Sequence, residues 1–402
     1  MLKSEPLNIS AYTLTTALGS GIDANLQALR SNRSGLTPCN VLGISDLNTW
    51  VGEVKGLTGL TIDGSLSDYN CRNNVLADFC LTQDGFSDSV ARLIKKYGAT
   101  RIGVFIGTST SGIRQTEEAY SERAGLNDDQ AELPDWYKYA NTHNLYSSAE
   151  FVRLRYGLQG PCLTISTACS SSAKVFASAQ RAISSGLCDA ALVGGVDSLC
   201  FTTLYGFNSL QVVSEEICRP SDVTRSGISI GEAAGFALLE KAGAATGEVD
   251  LIGCGESADA HHMSTPHPEG KGAEIAMRNA LLQADIAPSD VDYINLHGTG
   301  TIANDLAESL AVNTLFGTNT ACSSTKGWTG HTLGAAGIVE AIFSIFSIGN
   351  GYLPKSLNTL DVDPSIAARI LLESESKNVQ KVLSNSIGFG GSNCSLLFGK
   401  SL

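Results

Sequence analysis

Positive charge is scarce in this chain. Its 402 residues carry 27 lysines and arginines against 40 aspartates and glutamates, a formal charge of −13. No basic face could easily outweigh that balance, which argues against nucleic acid as a partner. Paired-cysteine spacing is also missing. The 11 cysteines are odd in number, scattered, and never spaced as C-x-x-C. That excludes a disulfide scaffold or a zinc site and reads as reduced thiols in a cytoplasmic protein. The first residues lack the long apolar core of a signal peptide. The longest apolar run, 337–348, is too short for a bilayer and contains Glu340, so a buried core helix is expected. Low-complexity tails and long charge runs are absent.

What is present is an alternation of short apolar runs with helical patterns, the signal of an α/β fold of one large or two smaller domains. Strands are expected over 102–106, 162–166, 190–193, 235–239, 249–254, 293–296, 321–323, 381–385 and 394–398. Helices are expected over 22–30, 87–97, 147–155, 171–184, 272–284, 304–315 and 334–348. Gly194-Gly195 and Gly390-Gly391 read as turns. The Gly/Ala-rich segment 242–248 could join two halves, 1–245 and 246–402, and 68–139 reads as a polar excursion between core elements. Strand, small-residue turn and Ala-rich helix recur around Cys169 and around His331. This is either an internal echo or the ordinary repetition of any α/β chain.

Chemistry concentrates in a few places. In Thr167-Ala168-Cys169-Ser170-Ser171-Ser172 a cysteine stands where a strand gives way to a helix. Unpaired backbone N–H groups at a helix N-terminus favour an anion, which is expected to lower the Cys169 pKa and make it a nucleophile. The flanking small residues allow a substrate close to the backbone. His297 follows a strand and opens Gly298-Thr299-Gly300-Thr301; His331 lies between Gly330 and Thr332 ahead of a helix. Strand ends of this kind hold ligands in open α/β sheets, although either histidine alone could be a structural residue bonded to a carbonyl. Lys326 ends a strand and could be a plain surface lysine. Asp305 and Glu308 share one helical face and either favour the helix dipole or orient Lys326 or a histidine. Gly388-Phe389-Gly390-Gly391 is either a hairpin turn or a source of an oxyanion-hole N–H with a movable ring. Gly227-Ile228-Ser229-Ile230-Gly231 matches the serine-hydrolase elbow G-x-S-x-G but lacks the strand before and helix after it.

Taken in order, the Cys169 motif, His297 through Glu308, Lys326-Gly327-Trp328-Thr329-Gly330-His331 and Gly388 through Asn393 resemble the motifs of β-ketoacyl-[acyl-carrier-protein] synthases over nearly the whole chain. Asp259 through Gly270 is similar to the family's substrate-side loop. The resemblance implies a thiolase-like fold, two related βαβαβαββ halves in a five-layered αβαβα arrangement, working as a homodimer or as the active subunit of a heterodimer with a related chain-length factor. It implies no metal or organic cofactor; phosphopantetheine arrives on acyl-carrier protein, the partner that delivers acyl and malonyl thioesters.

The same resemblance makes Cys169 the acyl-accepting nucleophile, with His297 and His331 assisting decarboxylation of malonyl-carrier protein. Lys326 holds the site's electrostatics with Glu308 as its orienting partner. The N–H groups of Cys169 and Phe389 form the oxyanion hole. Thr299 and Thr301 contact the pantetheine arm, and Ile228, Thr265 and Gly390 complete the substrate-binding set. The chain departs from the common pattern where Ser221 and Ile228 stand in place of aromatics and where 107–113 reads Gly-Thr-Ser-Thr-Ser-Gly-Ile. The latter stretch, with Gly194 through Cys200, is closer to synthases of bacterial aryl-polyene pathways. Arg72 alone stands where relatives carry several cations for the acidic carrier, so docking must lean on others such as Arg123, Arg153 or Arg155. A cysteine or serine acyl hydrolase using Cys169 or Ser229 is the competing reading.

Overall fold

The computed structural model describes residues 5–41, 43–44, 46–126, 131–244 and 247–401. Two sheets and three helical layers form an α/β sandwich of αβαβα type. In the first sheet the strands run Cys162–Ile165, Ile102–Gly107, Ala190–Asp197, Ala233–Lys241, Leu7–Thr16. In the second they run Val249–Ala258, Ser392–Lys400, Lys381–Gly388, Tyr293–Asn295, Ala321–Ser323, with the short strand Arg369–Ile370 at the far edge. The sheets join at one corner, where Leu7 pairs with Leu251 and Asn8 with Asp250, so hydrogen bonding runs through all eleven strands and the short Gly19–Ser20 that pairs with the end of Leu7–Thr16. Asn8 fastens that corner, its amide donating to the Gly247 carbonyl at 2.8 Å, Asp250 at 2.6 Å and Ser401 at 3.1 Å.

Helices Ser171–Ser184 and Ala336–Asn350 lie between the sheets, and their apolar side chains merge with both inner faces in one core. Arg72–Leu81, Phe86–Tyr97 and Ser147–Tyr156 cover the outer face of the first sheet. Lys271–Ala284 and Ile302–Phe316 cover that of the second. The 18 residues Leu333–Asn350 are long and apolar enough to cross a membrane, but 89% of that stretch is buried in the protein. It is the core helix expected from the sequence, and its buried Glu340 is accounted for below.

Several expectations need correction. The strand Leu7–Thr16, central to the fold, was not anticipated. Much of 68–139 is not an excursion, since Arg72–Leu81 and Phe86–Tyr97 are core helices. Gly194-Gly195 is not a turn: both glycines lie inside the strand Ala190–Asp197. A Cβ on Gly195 would stand 2.5 Å from the Ser172 Cβ. Bare backbone there lets the start of helix Ser171–Ser184 press onto the sheet, and this fixes where Cys169 emerges. The division expected at 245/246 lies outside the described residues.

Candidate active site

Cys169 occupies a sharp elbow between the strand Cys162–Ile165 and the helix Ser171–Ser184, one residue ahead of the N-cap Ser170. Ala168 takes a left-handed φ of 52°, a conformation that costs an L-residue energy and persists only when its surroundings hold it. The serines hold it. The Ser171 hydroxyl accepts from Thr167 N–H at 2.9 Å and donates to the Ala168 carbonyl at 2.6 Å, while Ser170 donates to the Thr167 carbonyl at 2.9 Å.

The expectation of a depressed thiol pKa is overturned. Burial pushes Cys169 up to about 11, although the nearby Lys326 charge and the backbone N–H groups of Phe389 and of Cys169 itself act in the opposite direction. A helix terminus lowers a thiol pKa when the sulfur keeps some solvation. Here the residue is 5% exposed and desolvation wins.

Both sequence-selected histidines reach the sulfur. His331 Nε2 is 3.1 Å from Cys169 Sγ, and the three candidate ligand atoms of Cys169, His297 and His331 lie within 4.8 Å of one another. The imidazoles meet edge to face with centroids 5.2 Å apart. Burial and the Lys326 charge hold both pKa values well below the usual histidine range, so both rings are neutral.

Their tautomers follow from their partners. The Leu333 N–H donates to His331 Nδ1 at 3.2 Å. Lys326 Nζ stands 3.2 Å from His297 Nδ1 and also donates to the His297 carbonyl at 2.5 Å. An ammonium has no lone pair to offer, so His297 Nδ1 accepts. Each ring therefore carries its proton on Nε2. Two N–H donors beside a thiol suit the stabilisation of negative charge on a carbonyl oxygen. They do not suit a metal ion, because the free ring nitrogens are protonated and an ammonium stands behind them.

Lys326 is buried and its carboxylate partner is Glu340, not Glu308. Glu308 instead accepts the N–H groups of His297 and Gly298, both at 2.8 Å, and the Asn385 amide at 3.1 Å. It shapes the His297 loop without touching Lys326. Asp305 likewise serves backbone, accepting from Ser221 at 2.8 Å and Gly300 at 3.2 Å. Glu340 is absent from the site residues read from sequence, although a lone charged residue in an otherwise uncharged, largely apolar helix calls for a buried cation.

Around these groups lies a cavity of about 220 Å³ lined by Cys169, His297, His331, Thr299, Thr301, Ile228, Thr265 and Phe389, among others. Gly390, expected with them, does not line it; it turns outward and gives its N–H to the Met263 carbonyl at 2.7 Å. The Phe389 ring packs on Phe207 with centroids 5.7 Å apart. Ser229 is no elbow nucleophile: its buried hydroxyl accepts the Cys218 N–H at 3.1 Å, and its carbonyl accepts the His331 N–H at 2.7 Å. Gly231 N–H closes the clamp on the His331 carbonyl at 2.9 Å.

Arg72 is not a free docking cation. Its guanidinium is spent on the buried Glu232, at 2.9 Å and 2.5 Å, while Arg153 pairs with Glu150 and Arg155 with Asp78.

Comparison with known proteins agrees with this site. Sequence models of the β-ketoacyl synthase family match in two parts, the N-terminal domain over residues 81–245 and the C-terminal domain over 239–360. The 3-oxoacyl-[acyl-carrier-protein] synthase 2 of Coxiella burnetii is 32% identical over 98% of this chain and 98% of its own length. The mitochondrial 3-oxoacyl-[acyl-carrier-protein] synthase of Arabidopsis thaliana is 41% identical, but over 61% of this chain and 58% of its own length. Among solved structures, the ketosynthase ApeO in complex with its chain length factor ApeC from Xenorhabdus doucetiae superposes with a TM-score of 0.89 at 37% identity, covering 98% of both chains. With both parts of the family's pattern matched in order and a bacterial relative aligned over nearly its full length, the chain belongs to the β-ketoacyl synthase family.

Proposed function

We propose that this protein performs a decarboxylative Claisen condensation on carrier-protein thioesters. The observation that carries the reading is the convergence of one thiol and two neutral Nε2–H imidazoles. In the first step Cys169 sulfur attacks an acyl thioester. The carrier's sulfur leaves with the thiol proton, and the acyl chain stays on Cys169. The N–H groups of Cys169 and Phe389 hold the oxyanion that forms. Malonyl-carrier protein then binds with its pantetheine arm beside Thr299 and Thr301. Loss of carbon dioxide puts charge on the thioester oxygen, which His297 and His331 stabilise. The enolate carbon attacks the Cys169 acyl group, the sulfur leaves as thiolate and regains a proton from solvent, and a β-ketoacyl-carrier protein two carbons longer departs. No resident cofactor is needed, because the pantetheine comes with the carrier. Ile228, Phe207 and Thr265 would shape the acyl path. Lys326 fixes the tautomer of His297, Glu340 balances its charge, and Glu308 holds the loop.

The residues divide into halves 1–245 and 246–402, the first bringing the nucleophile and the second the His, His and Lys groups. A paired assembly is favoured by the strand Cys162–Ile165, which ends its sheet with Leu163 51% exposed. An open apolar edge of this kind invites another strand. The partner is a second copy of this chain or a related chain-length subunit, as in the ApeO complex. Eleven unpaired thiols fit a reducing, cytoplasmic setting.

Incubation with acyl- and malonyl-carrier protein tests the reading. Carbon dioxide release with a two-carbon-longer product is expected; free acid alone would make the protein a hydrolase.

A further inference from the structure

Asp197 ends the strand Ala190–Asp197, is fully buried, and serves no step of the chemistry above. Its carboxyl oxygens accept from six donors: the hydroxyls of Thr108 at 2.7 Å, Ser109 at 2.6 Å and Thr110 at 2.7 Å, and the N–H groups of Ser109 at 2.9 Å, Thr110 at 2.8 Å and Gly334 at 2.5 Å. Five of these belong to the loop after the strand Ile102–Gly107. The sixth lies across the fold, three residues beyond His331. One carboxyl group thus joins the strand ends of the first sheet to the histidine loop.

The Gly334 bond matters because of its neighbour. Leu333 holds a left-handed φ of 54°, which a leucine adopts only under external constraint. That conformation aims the Leu333 N–H back at His331 Nδ1. The His331 main chain is already clamped by Ser229 and Gly231, but that clamp does not choose the ring's tautomer; the Leu333 N–H does. Gly334 also leaves no room to spare, since a Cβ there would stand 2.6 Å from Asp197 Oδ2 and 2.7 Å from Ser109 N.

We infer that Asp197 is a positioning residue for His331: by accepting the Gly334 N–H it holds the Leu333 turn and so keeps the His331 proton on Nε2, facing Cys169. The inference rests on the condensing reading of the site. It separates the two half-reactions. Acylation depends on the Cys169 elbow, which Ser170 and Ser171 hold independently of Gly334. Decarboxylation depends on the Nε2–H.

The test compares the wild type with Asp197→Asn and, from the other end of the same bond, Gly334→Ala. Asparagine keeps the size but places an amide N–H among donors. Three quantities are measured: transfer of the acyl group to Cys169, carbon dioxide release from malonyl-carrier protein, and the ring-nitrogen NMR signals of 15N-labelled His331, assigned with His331→Gln. Decarboxylation should fall about tenfold to a hundredfold, short of the ~10²–10³ expected for deleting a donor outright. Acylation should stay within about threefold, and the His331 signals should lose their Nε2–H signature. Asp197→Glu should recover part of the loss. Parallel decline of both half-reactions, or an unchanged Nε2–H signature in a soluble variant, would overturn the assignment. If both variants fail to fold, the wild-type spectrum decides: a proton found on His331 Nδ1 refutes the role, and one on Nε2 supports it. A wild type that acylates but releases no carbon dioxide refutes the condensing reading itself.

Discussion

Gly337 and Ala173 touch where the two central helices cross: a Cβ on Gly337 would stand 2.8 Å from the Ala173 Cβ and closer still to the Ala173 backbone nitrogen. Ile338 N–H also donates to the Ser172 hydroxyl at 2.9 Å. The starts of both helices are thereby locked together. Cys169 precedes one and His331 the other, so their contact is set by main-chain packing as much as by side chains.

Gly337→Ala should therefore act at a distance. Overpacking of this kind typically costs about 1–3 kcal/mol, read as a lower urea midpoint. Because the sulfur and the imidazole would separate, turnover should fall further than stability alone explains. A variant of full activity would show that the helix crossing does not set the site.

Cys169→Ala should abolish transfer of a labelled acyl group to the protein, as seen by intact-mass spectrometry. Persistent acylation of that variant would move the nucleophile elsewhere.

The high thiol pKa gives a pH signature. With Cys169 near 11, the thiolate fraction rises about tenfold per pH unit across the neutral range, so alkylation of Cys169 should climb without a plateau up to pH 9. Glu340 adds to the elevation. Its removal in Glu340→Gln takes away an anion, favours the thiolate and should shift the alkylation curve toward lower pH. A shift toward higher pH would contradict the electrostatic account.

The buried neutral histidines link folding to pH. Their folded pKa values lie below the unfolded one, so under acid conditions the unfolded chain binds more protons and stability falls as pH drops through about 6.5. Each contributes a slope of up to ~1.4 kcal/mol per pH unit. Glu340, raised to about 7 by burial, works in the opposite direction between its unfolded value and 7. The informative quantity is therefore a difference: His331→Gln should lose one proton's worth of slope relative to wild type between pH 6 and 5.

Arg72→Ala should unfold rather than undock. Removing one partner of a buried ion pair typically costs ~3–5 kcal/mol, and Glu232 is left without its guanidinium while still accepting from Val54 and Leu199 N–H groups. A large drop in thermal midpoint with unchanged KM for carrier protein is expected. The reverse pattern would restore Arg72 as a docking residue.

The sequence carried the reactive groups better than it carried their wiring. Cys169, His297, His331 and Lys326 stand in small-residue turns between strand and helix, a local signal, and they meet in one cavity. Partnerships across the fold were less legible. Glu308 lies in the same motif as His297, and the resemblance pairs it with Lys326. The actual partner, Glu340, sits on another helix and reads in sequence only as an interruption of an apolar run. Glycine misled at Gly195, where close helix approach and not a turn requires it. The strand Leu7–Thr16 is hard to read in sequence because several of its polar residues are nonetheless buried, Thr13 bonded to Asp84 at 2.7 Å and Thr16 to Asn25 at 2.6 Å. Its apolar/polar alternation is broken where a bulge shifts the register between Ile9 and Ala11.

The knot at Asn8 has a consequence for how the polypeptide responds to being severed. One amide grips the opening strand, the crossover near Gly247 and the closing strand near Ser401, while the core between the sheets is shared by segments from either side of that crossover. A single nick between 244 and 247 would not release two independent pieces. Fragments made there should reassociate and co-purify, and neither should attain a stable fold in isolation.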